Sequence, residues 1–462
     1  MVNSNYHGPA IPTGVIQGGN TFGFNGDGQN TWNPRVGFAW MLPRSDRFVL
    51  RGGVGTYHTT TEGQMNLLLC AEAPTGLWSV LTGTYNASST DANPFPAAPA
   101  FPVSTPYSSS TEFTLAALAM NWRPPTIYHY SLGLQSRLPG GAVLDVAYAG
   151  ARDLHPILGR TINQAPLASA SNPIRGQTTN TVANIPLRAP YIGWTANTMY
   201  YFGTDGEAWY NALQTSLTQK FRHSLQYQAA YTWDRLLSPV PGFTTGSNEF
   251  GPTGEQTNLR AHNPGYGPDY NVRPQRFVLS AHYALPSPAK SHPFLASTLG
   301  GWSVATATVV QAGQESSFAF NNIYNVYGIT SDRASNAPGC TAKNVSTPGS
   351  VSHRVGNYID SACFAAPAVI GDDGIGTGFG NTPNGILHEP DQADIDLSLS
   401  KTQLVQWPKE GASVQSRADF FNALNHPNFA GPNNAASSST LGDITAMNTN
   451  PRVVQFSLRF AF

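Results

Sequence analysis

Few side chains in this 462-residue chain stand at spacings that could do chemistry. Asp394 and Asp396 could pass for an acid pair. On an extended strand the i, i+2 spacing places both on one face, where they serve more simply as polar wall residues. His388-Glu389 begins like a zinc-binding helix, but Pro390 follows and argues against a helix there. The Gly371–Gly385 stretch is rich in glycine yet lacks the G-x-G-x-x-G spacing and the following helix that a phosphate cradle needs. Asp372-Asp373 could touch a cation or simply face solvent, and His426 is a ligand candidate by residue type alone. No G-x-S-x-G, H-E-x-x-H or G-x-x-x-x-G-K-[ST] motif occurs. The sequence therefore yields no catalytic residue, no cofactor site and no metal site, and it does not read as an enzyme. Cys340 and Cys363 lie in one Gly/Pro/Ser-rich loop; they are disulfide partners in an oxidising compartment or two free thiols. Cys70 has no evident mate.

The composition explains this scarcity. Only 11% of residues are charged, against roughly 25% in ordinary soluble domains. Gly, Pro, Asn, Ser and Thr fill the difference, with abundant Tyr and Phe, a mixture suited to many strands joined by polar loops. The net charge of −1 gives no electrostatic basis for binding nucleic acid or an anionic membrane surface. There is no run of about 18 apolar residues, and Met1–Asn20 carries no visible signal peptide.

The elements that could position a site are strands. The end of the chain, Val-Val-Gln-Phe-Ser-Leu-Arg-Phe-Ala-Phe, puts Val454, Phe456, Leu458, Phe460 and Phe462 on one face and Gln455, Ser457, Arg459 and Ala461 on the other. Such period-two alternation is a strand signal, and one apolar face against one polar face suits lipid on one side and water on the other. An edge strand of a soluble sandwich would alternate too. The pattern recurs in five pairs of segments. Val36, Phe38 and Trp40 precede Phe48, Leu50 and Val54; Tyr128 to Leu134 precede Leu144, Val146 and Tyr148. Leu213 and Leu217 precede the row from Leu225 to Trp233, Phe277 to Leu285 precede Trp302 to Val310, and Ile395, Leu397 and Leu399 precede Val414 to Phe421.

Connection lengths alternate between short and long. Pro43–Arg47, Leu138–Gly141, Arg222–Ser224, Pro286–Gly300 and Thr402–Gly411 are short or moderate; the segments between them are long, Gln311–Gln392 being the longest. Transmembrane barrels have short periplasmic turns and longer outer loops. With the short turns assigned to the periplasm, the chain also ends there. Trp40, Tyr283 and Trp302 then fall near periplasmic strand ends and Tyr128 and Trp233 near outer ends, as interfacial aromatics do. About eleven or twelve strands are predicted. Eleven would run the first and last in the same direction, and an antiparallel barrel closes on an even number. Either a strand is missed, for example near Asn197–Phe202, or the strands are part of a larger barrel.

Several stretches resemble one family: Asn33-Pro34-Arg35-Val36-Gly37-Phe38, Tyr210-Asn211-Ala212-Leu213-Gln214, Gly300-Gly301-Trp302, Phe379-Gly380-Asn381-Thr382-Pro383, Asp396-Leu397-Ser398-Leu399-Ser400-Lys401, and Arg417 through Phe420-Phe421-Asn422-Ala423-Leu424-Asn425-His426-Pro427-Asn428-Phe429. In order and spacing they resemble the C-terminal barrel of Oar-like TonB-dependent outer-membrane receptors. The resemblance implies an all-β antiparallel barrel of roughly 22 strands or more in the bacterial outer membrane, energised uptake of a bulky solute, and outer-membrane lipid as the surrounding partner. It implies that the barrel-assembly machinery reads the end of the chain, through Leu458, Phe460 and Phe462. Contact with the TonB complex would come only through an N-terminal region. Residues 1–33 are expected to be an outer-loop segment and 34–462 a partial barrel without plug domain or signal peptide, as in a fragment or truncated gene product not competent alone. The rival expectation is a secreted or surface β-rich adhesin or carbohydrate-binding protein, which requires two stacked sheets with polar outer faces.

Overall fold

The computed structural model describes residues 32–43, 47–58, 115–118, 123–192, 196, 199–204, 206–222, 224–239, 266–286, 297–405 and 411–462. Residues 1–31 and Cys70 lie outside them. The dominant feature is one twelve-stranded sheet, eleven of whose strands follow one another in chain order with antiparallel neighbours. They are β1 (Arg35–Met41), β2 (Phe48–His58), β3 (Thr126–Arg137), β4 (Val143–Leu154), β5 (Glu207–Arg222), β6 (Leu225–Ser238), β7 (Gln275–Ala284), β8 (Trp302–Gln311), β9 (Gln392–Val405), β10 (Ala412–Phe421) and β11 (Val453–Ala461). The twelfth is the two-residue Gly267–Pro268, paired with the end of β6.

The register joins the apolar rows of successive strands into one face. Phe456 stands opposite Ala418, Ala418 opposite Leu399, Leu399 opposite Val304 and Val304 opposite Tyr283. The face continues through Leu225 and Ala229 of β6, Leu217 and Leu213 of β5 and Tyr148 and Leu132 to Phe38 and Val36. A slip of one residue anywhere would exchange the two faces. Among the described residues no second layer covers the apolar rows: Phe456 is 77% exposed, Leu458 74% and Trp233 58%. The stacked-sheet arrangement of an adhesin or sugar-binding sandwich is absent from the described residues, whereas a single sheet with one long apolar exposed face is what hydrocarbon requires.

Two turns show how the chain reverses. Gly301, of the Gly-Gly-Trp stretch, has φ +75°, and a Cβ there would lie 2.1 Å from the Thr402 carbonyl oxygen. That proximity lets Thr402 N–H donate to the Gly301 carbonyl at 2.9 Å and bind the start of β8 to the last part of β9. At the other end of the sheet Thr56 N–H donates to the Pro34 carbonyl and the His58 ring meets Asn33 Oδ1 at 2.8 Å, so Asn33-Pro34 fixes the entry to β1.

Among the described residues β1 pairs only with β2, and β11 only with β10. Both run from the long-loop end to the short-turn end. Met199–Gly203, the region that might have supplied a further barrel strand, is a strand of a different sheet. It pairs in parallel with Leu115–Leu118 and antiparallel with Leu158–Thr161. Phe202 is 1% exposed there, so an aromatic-rich stretch goes to a covered sheet instead of the lipid face.

The two faces predict opposite responses to the same charge. Leu399→Arg, outward and near mid-strand, is expected to cost about 2–4 kcal/mol of folding free energy in bilayers. Ser398→Arg, inward, should cost well under half of that. Denaturant unfolding in lipid vesicles of the two variants, each joined to the strands that complete the barrel, measures both, and a larger loss for Ser398→Arg would reverse the assignment of the faces.

Candidate functional site

The inward face is a polar wall. Arg51 donates to Gln135 Oε1 at 3.0 Å and Gln135 donates to Asp145 Oδ2 at 3.3 Å, a ladder across β2, β3 and β4. Tyr210 donates to Asp234 across β5 and β6 at 3.2 Å. Arg417 Nε meets Asp419 at 2.7 Å, and the hydroxyls of Ser303 and Ser400 are 2.7 Å apart. At the short-turn end a cleft opens on this wall, lined by His282, Ser303, Ser398, Ser400, Gln415 and Arg417. Asp394 and Asp396 both point inward on β9, in a second cleft under Asn448–Pro451 at the long-loop end. Asp396 accepts the Asn422 amide at 2.9 Å. A surface of hydroxyls, amides and paired charges can hold water or a hydrophilic solute; it offers no activated nucleophile. Among the described residues no group of three or more His, Cys, Asp or Glu could hold a metal ion.

A folded cap stands at the long-loop end. Most of it comes from residues 312–391 and 422–452, which share a small core of Phe318, Val345, Tyr358, Ile359, Ile386 and Leu387. Cys340 and Cys363 are bonded at the edge of this core, closing a separation of 23 residues. The segment 155–192 joins the cap through Arg188, which is fully buried. Its guanidinium donates to Asn184 Oδ1 at 2.7 Å and to the carbonyls of Pro166 at 2.6 Å, Thr181 at 3.2 Å and Val326 at 2.8 Å. Asp372 accepts the Asn180 amide at 2.6 Å, and Asp373 accepts the amides of Gly376 and Ile375 at 2.7 and 3.1 Å. The acidic pair therefore orders turns. Phe379 stacks on Tyr327 with centroids 4.8 Å apart. The adjacent Gly380 has room for no Cβ, which would lie 1.8 Å from the Arg333 carbonyl.

The Phe420–Phe429 stretch seals the top of the sheet. Asn422 and Asn425 adopt φ +45° and +52°, a region Asn tolerates better than most residues. Asn422 donates to the carbonyls of His426 and Asn450 at 2.9 and 3.1 Å. Asn425 Oδ1 accepts the Arg452 amide just before β11 at 3.0 Å. Asn428, fully buried, bonds both the N–H and the carbonyl of Ala393 on β9, at 2.7 and 2.9 Å. Three carboxamides thus take over where the backbone ladder of β9, β10 and β11 stops. His426, a ligand candidate by residue type, is part of this clamp, with Nδ1 3.3 Å from Asn428 Oδ1. In Tyr210-Asn211 the second residue faces outward, and its carboxamide oxygen accepts the hydroxyls of Tyr148 and Tyr130 at 2.5 and 3.3 Å. At the opposite border the Lys401 ammonium lies 5.3 Å from the Trp302 ring centroid and donates to Thr298 O at 2.8 Å. The alternate residues Leu458, Phe460 and Phe462 at the end of the chain are exposed, and the two phenylalanine rings lie 5.5 Å apart.

The cap meets the sheet through a neck at the start and end of residues 312–391. Glu315-Ser316 pairs with Leu387-His388, and Glu389 N–H donates to the Gln314 carbonyl. Asp391 Oδ1 accepts the Gly313 amide at 2.9 Å and lies 3.1 Å from His388 Nε2. Arg273 donates to the Ala312 carbonyl at 2.8 Å, and the Glu389 carboxylate packs on Gly431. The hydrogen bond from His388 to the Asp391 carboxylate raises the His388 pKa and lowers that of Asp391. Burial raises Glu315, against the attraction of Arg235 and His388, and raises Glu389. Nothing in the spacing of these residues marks the neck in sequence; its pieces are brought together by β8 and β9.

Two outcomes follow. Reduction of Cys340–Cys363, or its replacement by Ser, should remove roughly 3 kcal/mol from the cap and admit protease within residues 312–391 while the strands stay protected. For the neck, the raised His388 contributes stability fully below about pH 6.5 and loses it as pH rises through the raised value. The raised Glu315 and Glu389 act in the same direction, and the depressed Asp391 is lost only as pH falls below the ordinary carboxylate range. The neck should therefore be tightest in mildly acid solution and open toward alkaline pH. Limited proteolysis of the cap at pH 5.5, 7 and 8.5 should show cleavage rising with pH, and His388→Gln should flatten that rise.

Comparison with known proteins agrees with this geometry. Residues 4–455 match the family model described as outer membrane beta barrel domain. A search of curated proteins finds no match. Among solved structures the chain is similar to the outer membrane transporter YddB from Escherichia coli, at 11% identity and TM-score 0.46, covering 92% of this chain and 40% of that one. It is also similar to the siderophore receptor PirA from Acinetobacter baumannii, at 12% identity and TM-score 0.40, covering 94% and 41%. A third is the ferripyoverdine receptor of Pseudomonas aeruginosa, at 10% identity and TM-score 0.39, covering 92% and 32%. The chain thus spans about two-fifths or less of the length of these proteins. With one face exposed and apolar, the other polar, and a family match over nearly its whole length, the chain belongs to the outer membrane β-barrel domain family, and its place is the bacterial outer membrane.

Proposed function

We propose that these eleven strands are one section of the wall of a larger TonB-dependent receptor barrel, which imports a bulky hydrophilic solute past the capped outer mouth. The observation that carries the reading is that, among the described residues, β1 pairs only with β2 and β11 only with β10, the two outer strands running in the same direction. An unpaired backbone group in hydrocarbon costs several kcal/mol, so each edge needs a neighbour. An antiparallel neighbour of either edge must run from the short-turn end to the long-loop end. The strands that complete the ring are therefore odd in number, and a total near 22 satisfies this. A wall of that size encloses a lumen wide enough to hold a plug, and energy coupling through the TonB complex would act on the plug. The polar inner face and the cap, held over its rim by the neck, fit a gated passage for a solute too large to diffuse.

The barrel-assembly reading of the C-terminus belongs to the same proposal. Leu458, Phe460 and Phe462 stand on the open edge, where another protein's strand or groove could reach them.

The experiment is to add strands to the edges. The chain alone should fold poorly into lipid vesicles and show no heat-modifiable migration. Co-expression with a barrel section of eleven strands, placed upstream in the same reading frame, should restore folding and detergent resistance. A fully folded, closed particle formed by this chain alone would refute the larger-barrel reading.

A further inference from the structure

We propose that the outward face of β4, β5 and β6, at the long-loop end, binds the phosphate of an anionic outer-leaflet lipid headgroup through Arg152 and Arg235. The inference rests on the outer-membrane placement and the direction of the strands, and it is independent of whether the barrel transports anything.

The register carries the argument. Among the described outward-facing side chains of the eleven strands, guanidinium and ammonium groups occur at Arg152, Arg235 and Lys401. Lys401 lies at the short-turn border and is held by Thr298 and Trp302. The other two stand together at the opposite border. Arg152 on β4 is opposite Trp209 on β5, and Arg235 on β6 is opposite Asn211 on β5. Only β5 separates them, so their backbones are about 10 Å apart across the sheet. Along β4, Arg152 is eight residues beyond Leu144. At the usual rise and tilt that is about 20 Å above it, near the top of a hydrocarbon band about 25 Å tall. The groups therefore sit at headgroup height on the lipid side, where phosphates are available and bulk water is thin.

The surroundings suit a headgroup site. Arg152 is oriented by Glu207, whose Oε1 lies 2.6 Å from its Nη2, and its guanidinium lies over the Trp209 ring at 4.5 Å. A guanidinium fixed by one carboxylate and one ring keeps remaining N–H groups free to fork onto phosphate oxygens. Arg235 is exposed. Trp233, Tyr148 and Tyr128 flank the pair and are exposed as well; their rings suit the zone between acyl chains and headgroups. On this face two guanidiniums stand against Glu207, and Glu315 of the neck also attracts Arg235, but burial disfavours the charge on Glu315, so the patch complements a phosphate and repels a cationic headgroup.

The test uses the chain joined to the upstream strands that complete the barrel, folded in zwitterionic detergent, with diphosphoryl lipid A as the probe and native mass spectrometry as the readout. Its dephosphorylated counterpart and inorganic phosphate serve as comparisons. Lipid A should bind, and Arg152→Gln with Arg235→Gln should weaken it at least about tenfold. Replacement of both by Lys should be intermediate, because the charge stays while the fork is lost. Lys401→Gln should leave binding unchanged, and Glu207→Gln should strengthen it. Circular dichroism of each variant separates lost binding from lost folding. Equal binding of the dephosphorylated lipid, full binding by the double Gln variant, or inorganic phosphate binding as tightly as the lipid would each overturn the proposal.

Discussion

The wall of this molecule follows from one constraint: in hydrocarbon a backbone amide has no water to bond, so the chain must supply every partner itself. A continuous antiparallel ladder does this while leaving side chains free to differ on the two faces. It forces period-two alternation, because one face meets lipid and the other water. It also forces register, since a single-residue slip would bring Asp145, Asp396 and Arg417 into the hydrocarbon and Tyr148, Leu397 and Phe456 into the lumen. Where the ladder must stop, its last groups need other partners. The side chains of Asn422, Asn425 and Asn428 provide them at the top of β9 to β11, and the close approach at Gly301 does so at the bottom.

The cap obeys a different rule because water surrounds it. Its apolar core is small, and much of its order comes from side chains bonding backbone groups far away in sequence. Asn180 and Asp372 are 192 residues apart, and Arg188 and Val326 are 138 apart. Asn322 joins Asp332, Thr377 and Gly378 in one buried network. Such networks fix one arrangement firmly only when every member is satisfied. The cap accordingly carries a disulfide and an ionisable neck beside these networks.

The sequence disclosed the wall far better than the cap. Strand faces could be read because each side chain's environment is set by its parity, a property visible in any ten residues; the rows at Leu213, Leu225 and Phe456 fall where alternation puts them. The sorting of loop lengths was visible for the same reason. The cap was not, since its strands are two or three residues long and its partners come from distant loops. Met199–Gly203 shows the limit of local reading: Tyr200, Tyr201 and Phe202 favour a strand, but nothing nearby says which sheet will take it. Several of the family-like stretches hold turns, clamps and closely approached glycines, where backbone geometry is constrained, while Tyr210–Gln214 and Asp396–Lys401 lie within strands. The inward Asp394 and Asp396 could be placed on one face from spacing, whereas the neck around His388 could not be assembled before β8 and β9 were known to be neighbours.

The direction of the edge strands also decides what can complete the wall. Two copies of this chain could share one membrane only with their short-turn ends on the same side. Their contacts would then bring β11 of one copy beside β1 of the other, both running the same way. Each seam would be parallel, with slanted and slightly weaker bonds, in a sheet otherwise wholly antiparallel. An antiparallel contact between like edges, β1 with β1 or β11 with β11, would instead invert one copy and place its cap in the periplasm. A different set of strands, odd in number and running upward at both ends, meets both edges without either defect. Strand direction alone thus disfavours self-assembly and favours a complement from another stretch of polypeptide.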